Sequence, residues 1–170
     1  MHQIKIAKLE AARRQLETAV MLYFNEKDPV AIHTLVAAAH EIIRHLNKKA
    51  GGIPLVLEGK MVKEEYRKDF LREINKAKNF FKHAETDPSD VLDFNPDGND
   101  YYLLDACESY ELLTSEKNLY FIIYRGWFHY KHPQYFSNPI AINLINNKFG
   151  DNKTAYFISM IEASLNLSDK

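Results

Sequence analysis

The chain has 170 residues, 46% of them hydrophobic and 26% charged, with six glycines, six prolines and a single cysteine. This balance excludes the disordered, collagen-like and fibrous classes, and a chain of this length buries roughly 70% of its unfolded surface without help from a metal or a disulfide. Twenty-two Lys and Arg against 23 Asp and Glu leave a formal net charge of -1, so contact with a nucleic acid has to come from a local basic patch.

Between the glycines and prolines, apolar residues recur three and four apart, which predicts an almost wholly helical protein. A first helix is expected over about 3–25, with Ile6, Leu9, Leu16, Ala19, Val20, Tyr23 and Phe24 inward and Lys5, Lys8, Glu10, Arg13, Arg14 and Glu17 outward. Asp28-Pro29 opens the next helix, because Asp28 can cap and Pro29 sits where a missing N–H costs nothing. Lys48-Lys49 followed by Gly51-Gly52 closes it, giving a second helix over about 29–49. Its interior is apolar on most sides, with Ile32, Leu35, Val36, Ile42, Ile43 and Leu46, which places it at the centre of the bundle.

Residues 51–60 carry Pro54 and read as a loop whose apolar residues tuck beneath the helices. A third helix is expected over about 61–82, charged early and aromatic late at Phe70, Phe80 and Phe81. The stretch from about 85 to 100 is rich in Asp, Asn, Pro and Gly and divides two helical halves, each too short of core to stand alone. Four more helices follow over about 99–114, 117–131, 138–148 and 152–166, in a region dense with Tyr, Phe and Trp127. The expectation is one all-α domain spanning 1–170, a compact helical bundle of six or seven helices around the 29–49 helix.

Seven histidines invite a metal site, but the known patterns are not met. In His40-Glu41-Ile42-Ile43-Arg44-His45 the two histidines diverge by about 140° around the helix, whereas a metalloprotease helix needs both on one face. No Glu has a His three residues later, as a di-iron bundle requires, and one cysteine cannot build a thiolate zinc site. Cys107 has acidic neighbours in Asp105 and Glu108 that raise its pKa and make it a poor nucleophile. No cofactor motif is present: there is no glycine-rich phosphate loop, no Gly-x-Ser-x-Gly elbow and no sheet for a dinucleotide. The opening residues lack the apolar core of a signal peptide and no apolar run reaches membrane-spanning length, so a cytoplasmic protein with no membrane partner is expected.

Two polar constellations stand out. On the apolar second helix, His33, Ala37, His40 and Arg44 share one face. They are either its narrow solvent-facing side or the lining of a polar cleft, and burial separates the two. At the end of the third helix lies Lys78-Asn79-Phe80-Phe81-Lys82-His83. This block resembles the motif of the HEPN superfamily of helical-bundle proteins, in which Arg and a polar residue such as Asn shortly precede a His.

Many HEPN proteins are metal-independent ribonucleases of toxin–antitoxin and phage-defence systems, and others have lost catalysis; in active members the motifs of two protomers form a shared cleft. The resemblance implies RNA as partner, a homodimer, His83 as acid/base, Asn79 as orienter and Lys78 where the family has Arg. Lys at that position loses the planar bidentate grip on phosphate, and the motif sits mid-chain rather than near the last helix. A second match, Arg125 to His132, has Gly126 after the Arg and aromatic neighbours that read as core.

The blocks Lys8–Leu16, Ile32–His40 and Asn79–Ala84 also resemble a small, mostly uncharacterised group of bacterial all-helical proteins. That likeness brings no activity, but it implies that His33, His40, Asn79, Lys82 and His83 belong to one design. The expected function is therefore RNA binding or metal-free RNA cleavage. The alternative is a non-catalytic helical module that binds a protein or a small ligand.

Overall fold

The computed structural model describes residues 3–53, 55, 63–83, 88–135 and 148–168. Among these, six helices follow in order: α1 (Lys8–Phe24), α2 (Pro29–Lys49), α3 (Glu64–Phe80), α4 (Gly98–Thr114), α5 (Leu119–Lys131) and α6 (Lys153–Ser168). A 3-10 turn at Pro133–Tyr135 follows α5, and no strand occurs in the described residues. The all-α class is as the apolar periodicity indicates. The helix expected over 138–148 falls, apart from its last residue, outside the described residues.

α1 begins later than the periodicity implies. Ala7, its N-cap, offers no side-chain oxygen to the first amides, and Ile6 stands 45% exposed ahead of the helix, not inward. At the other end Glu26 adopts φ 53°, its amide donating to the Tyr23 carbonyl and that of Lys27 to the Leu22 carbonyl. This is the left-handed helix stop usually made by glycine. It turns the chain into α2, where Asp28 Oδ1 accepts from the Ala31 amide at 2.9 Å. α1 and α2 thus form a hairpin and make the most extensive helix pairing in the molecule.

α2 occupies the centre, packing on α1, α3 and α4. It ends at Ala50, with Gly51 at φ 71° donating to the Lys48 carbonyl. In the following loop Leu55 is buried beneath the helices as expected, while Ile53 stands in solvent. α3 is shorter at its C-terminal end than its sequence pattern, ending at Phe80 with Phe81 as its cap.

The opposite side of the bundle is aromatic. Phe24 stacks on Phe157 at 4.7 Å and lies edge-on to Trp127 and Tyr124, joining α1, α5 and α6. Gly126 on α5 is needed for close approach: a Cβ there would lie 2.6 Å from the Tyr156 hydroxyl, which donates to the Ile123 carbonyl. None of the described helices is long and apolar enough to cross a membrane.

Candidate functional site

Burial decides between the two readings of the α2 stripe. His33 is 5% and His40 6% exposed and Ala37 is fully buried, so only Arg44, at the outer end, reaches solvent. Buried histidines on an apolar helix need polar partners, and α4 supplies them. α2 and α4 run in the same direction where they touch, and Asn99, Tyr102 and Asp105 fall on one α4 face.

His33 Nδ1 meets Asn99 Oδ1 at 2.9 Å, and His40 Nε2 meets Asp105 Oδ2 at 2.8 Å. The Tyr102 ring lies between them, in edge contact with both imidazoles. Because the Asn99 amide oxygen and the Asp105 carboxylate only accept, the facing ring nitrogens carry the protons, which fixes the tautomers by assignment.

The two histidines then differ. Around His33, Phe81, Phe94 and Tyr102 close the space, and its Nε2 is buried with no hydrogen-bond partner among the described residues. Burial holds its pKa below 6.5 despite the opposing bond to Asn99. His40 instead borders a cleft of about 330 Å³ between α2 and α3, floored by α4. α2 contributes His40, Glu41 and Arg44; α3 contributes Leu71, Ile74, Asn75 and Lys78; α4 contributes Tyr102. His40 Nε2 is taken up by Asp105, and the His40 ring is part of the lining of this cleft. Behind it, Asp105 Oδ1 is buried and likewise without a partner.

Charge in the cleft is organised by Glu41. Arg44 Nη2 donates to its Oε1 at 2.7 Å, and Lys78 Nζ donates to its Oε2 at 3.3 Å across the α2–α3 gap. The Arg44 hydrogen bond foremost, with the Lys78 charge, holds the Glu41 carboxyl down at about 2 against the effect of burial. Burial, then the Glu41 and Asp105 charges, push the Tyr102 phenol up, so it remains a neutral donor. The cleft therefore presents a ring nitrogen with a lone pair, a phenol, and two cations sharing one carboxylate.

Of the residues singled out from sequence, the structure gathers His40, Arg44 and Lys78. His33 is on the same helix face but enclosed. Asn79, Lys82 and His83 are exposed at the end of α3 and are not among the residues that line this cleft. In the second motif match, Arg125 Nη1 donates to Glu108 at 2.7 Å and Glu111 at 3.1 Å. His132 lies 3.3 Å from Asp100 and rests on Phe128, both serving the α4–α5 contact. Cys107 is buried, and burial, with Glu108 and Glu111, keeps its thiol protonated. Among the described residues no group of three metal-ligating side chains occurs.

The residues that sequence reasoning missed are Asp105, Tyr102, Asn99 and Glu41. A signal existed for Asp105, a lone carboxylate within the apolar run Tyr102-Leu103-Leu104-Asp105-Ala106-Cys107, which has to find a donor when buried. Comparison with known proteins adds no assignment: no family model matches the chain, and no curated protein or solved structure is significantly similar to it.

Proposed function

We propose that the α2–α3 cleft binds a phosphodiester, RNA being the substrate class, and that His40 acts there as the proton-transfer group in metal-independent cleavage. The observation that carries this reading is the buried His40–Asp105 pair, whose imidazole lines a cleft that also holds Lys78 and Arg44. A carboxylate on one imidazole nitrogen fixes the ring and its tautomer and leaves the other nitrogen for the substrate. Cations beside it stabilise the charge that develops on a phosphorane.

In the proposed step, His40 Nδ1 takes the proton of a ribose 2′-hydroxyl, and that oxygen bonds to the adjacent phosphorus. The bond from phosphorus to the 5′ oxygen breaks, and the departing oxygen receives the proton back from the imidazolium. The products are a 2′,3′-cyclic phosphate end and a 5′-hydroxyl end, with no co-reactant. The reading keeps the chemistry that a HEPN-like protein would perform but assigns the acid/base role to His40 instead of His83.

The test is cleavage of mixed RNA in EDTA by wild type, His40→Gln, Asp105→Asn and His83→Ala proteins of matched folding. Loss of about 10²–10⁴-fold is expected for His40→Gln, with a smaller loss for Asp105→Asn and none for His83→Ala. Loss in His83→Ala with retention in His40→Gln would overturn the assignment. A second reading, non-catalytic binding of a small anionic ligand, is favoured by the modest volume of about 330 Å³, near the lower end for ligand pockets. It takes over if wild type does not cleave RNA but binds inorganic phosphate in the cleft, with the affinity lowered in Lys78→Gln.

A further inference from the structure

Lys78 and Arg44 are not simply available to an anion. Both donate to Glu41, which sits on the same helix as Arg44 and is ionised throughout the working pH range. Glu41 therefore offsets one of the two cationic charges of the cleft from within, and a phosphate oxygen reaching either cation meets a carboxylate already in place. On the solvent side His45 Nδ1 donates to the Glu41 backbone carbonyl at 2.9 Å and lies 3.4 Å from Glu41 Oε1.

We infer that Glu41 is a built-in competitor of the substrate: it occupies the phosphate position of the α2–α3 cleft and is displaced when a phosphodiester binds. This deepens the phosphodiester reading above and rests on it. The carboxylate preorders Arg44 and Lys78 for a planar two-oxygen acceptor, and it rejects anions too weak to replace it. A ligand that offers only one anionic oxygen is then discriminated against, while a phosphodiester, with two non-bridging oxygens, matches the carboxylate it replaces.

The experiment is fluorescence-anisotropy binding of a labelled single-stranded 2′-O-methyl RNA, which cannot be cleaved, to wild type, Glu41→Gln and Lys78→Gln. Glu41→Gln is expected to bind about three- to tenfold more tightly, the scale of one or two partly exposed ion pairs relieved. It should also steepen the slope of log affinity against log salt by about 0.7, one further phosphate engaged by a single strand. Lys78→Gln should weaken binding. Measurable wild-type binding that Glu41→Gln leaves equal or weaker overturns the competitor role and leaves the phosphodiester site standing. Absence of binding in all three proteins overturns the site and the competitor together. Glu41→Ser, checked by thermal melting beside Glu41→Gln, separates loss of charge from loss of fold.

Discussion

The two sides of the bundle solve opposite problems. Where α1, α5 and α6 meet, Phe24, Trp127, Tyr156 and Phe157 fill the space with rings, and the Tyr156 hydroxyl is turned to the Ile123 carbonyl. Where α2, α3 and α4 meet, polar groups sit within the packing itself: His33 on Asn99, His40 on Asp105, Lys78 on Glu41. One region is optimised for contact, the other carries two buried polar atoms, His33 Nε2 and Asp105 Oδ1, that find no partner among the described residues. Unsatisfied buried atoms cost stability, and one of them, Asp105 Oδ1, belongs to the carboxylate that holds the His40 ring at the edge of the cleft.

The comparison breaks first at Gly126. Adding a methyl group there forces the Tyr156 ring, only 3% exposed, out of its seat. Gly126→Ala is expected to destabilise by about 1–3 kcal/mol in urea unfolding. Removing the obstructing hydroxyl should recover part of this, so Gly126→Ala with Tyr156→Phe costs less than the sum of the two. Strict additivity would show that α5 and α6 are not held by this contact.

On the polar side the largest effect is pH-dependent. The His33 pKa is lowered by burial, and Asn99, Phe81, Phe94 and Tyr102 around it bear no charge near neutral pH. Below pH 6.5 the unfolded chain therefore binds a proton that the folded chain refuses. Stability is flat in this respect above 6.5 and falls as the pH drops below it, by at most about 1.4 kcal/mol per unit, until the folded-state pKa is passed. Unfolding curves at several pH values should show that slope in wild type and lose it in His33→Leu.

The smallest effect on stability is expected at Glu41. Its charge pairs are partly exposed, and Glu41→Gln should alter unfolding by no more than about 0.5 kcal/mol while changing anion binding. A large loss of stability in that variant would make Glu41 a structural tie instead of a competitor.

Much of the fold was legible because it is written locally. Asp28-Pro29 and Gly51 mark both ends of α2 within a few residues of chain, and the structure uses the Asp28 side chain and the Gly51 backbone for those tasks. The start of α1 was not legible, since Ile4 and Ile6 continue the apolar pattern without any helix to pack against, and remain exposed. The stop at Glu26 was hidden too, because a left-handed residue there is usually glycine.

The cleft was half legible. His40, Arg44 and Lys78 are polar residues at helix spacing, visible in one dimension. The partner of His40, Asp105, is 65 residues away, and only the parallel packing of α2 on α4 brings it there. Glu41 was read solely as part of a false metalloprotease pattern, because its two cations come from different helices.

The central claim is that substrate meets His40. The most direct test is the ¹H–¹⁵N spectrum of the histidine rings during titration with single-stranded 2′-O-methyl RNA, with assignments from single substitutions. The account predicts that the His40 ring signals shift on binding while those of His83, exposed beyond the end of α3, stay in place. Movement of His83 with His40 unchanged would contradict it.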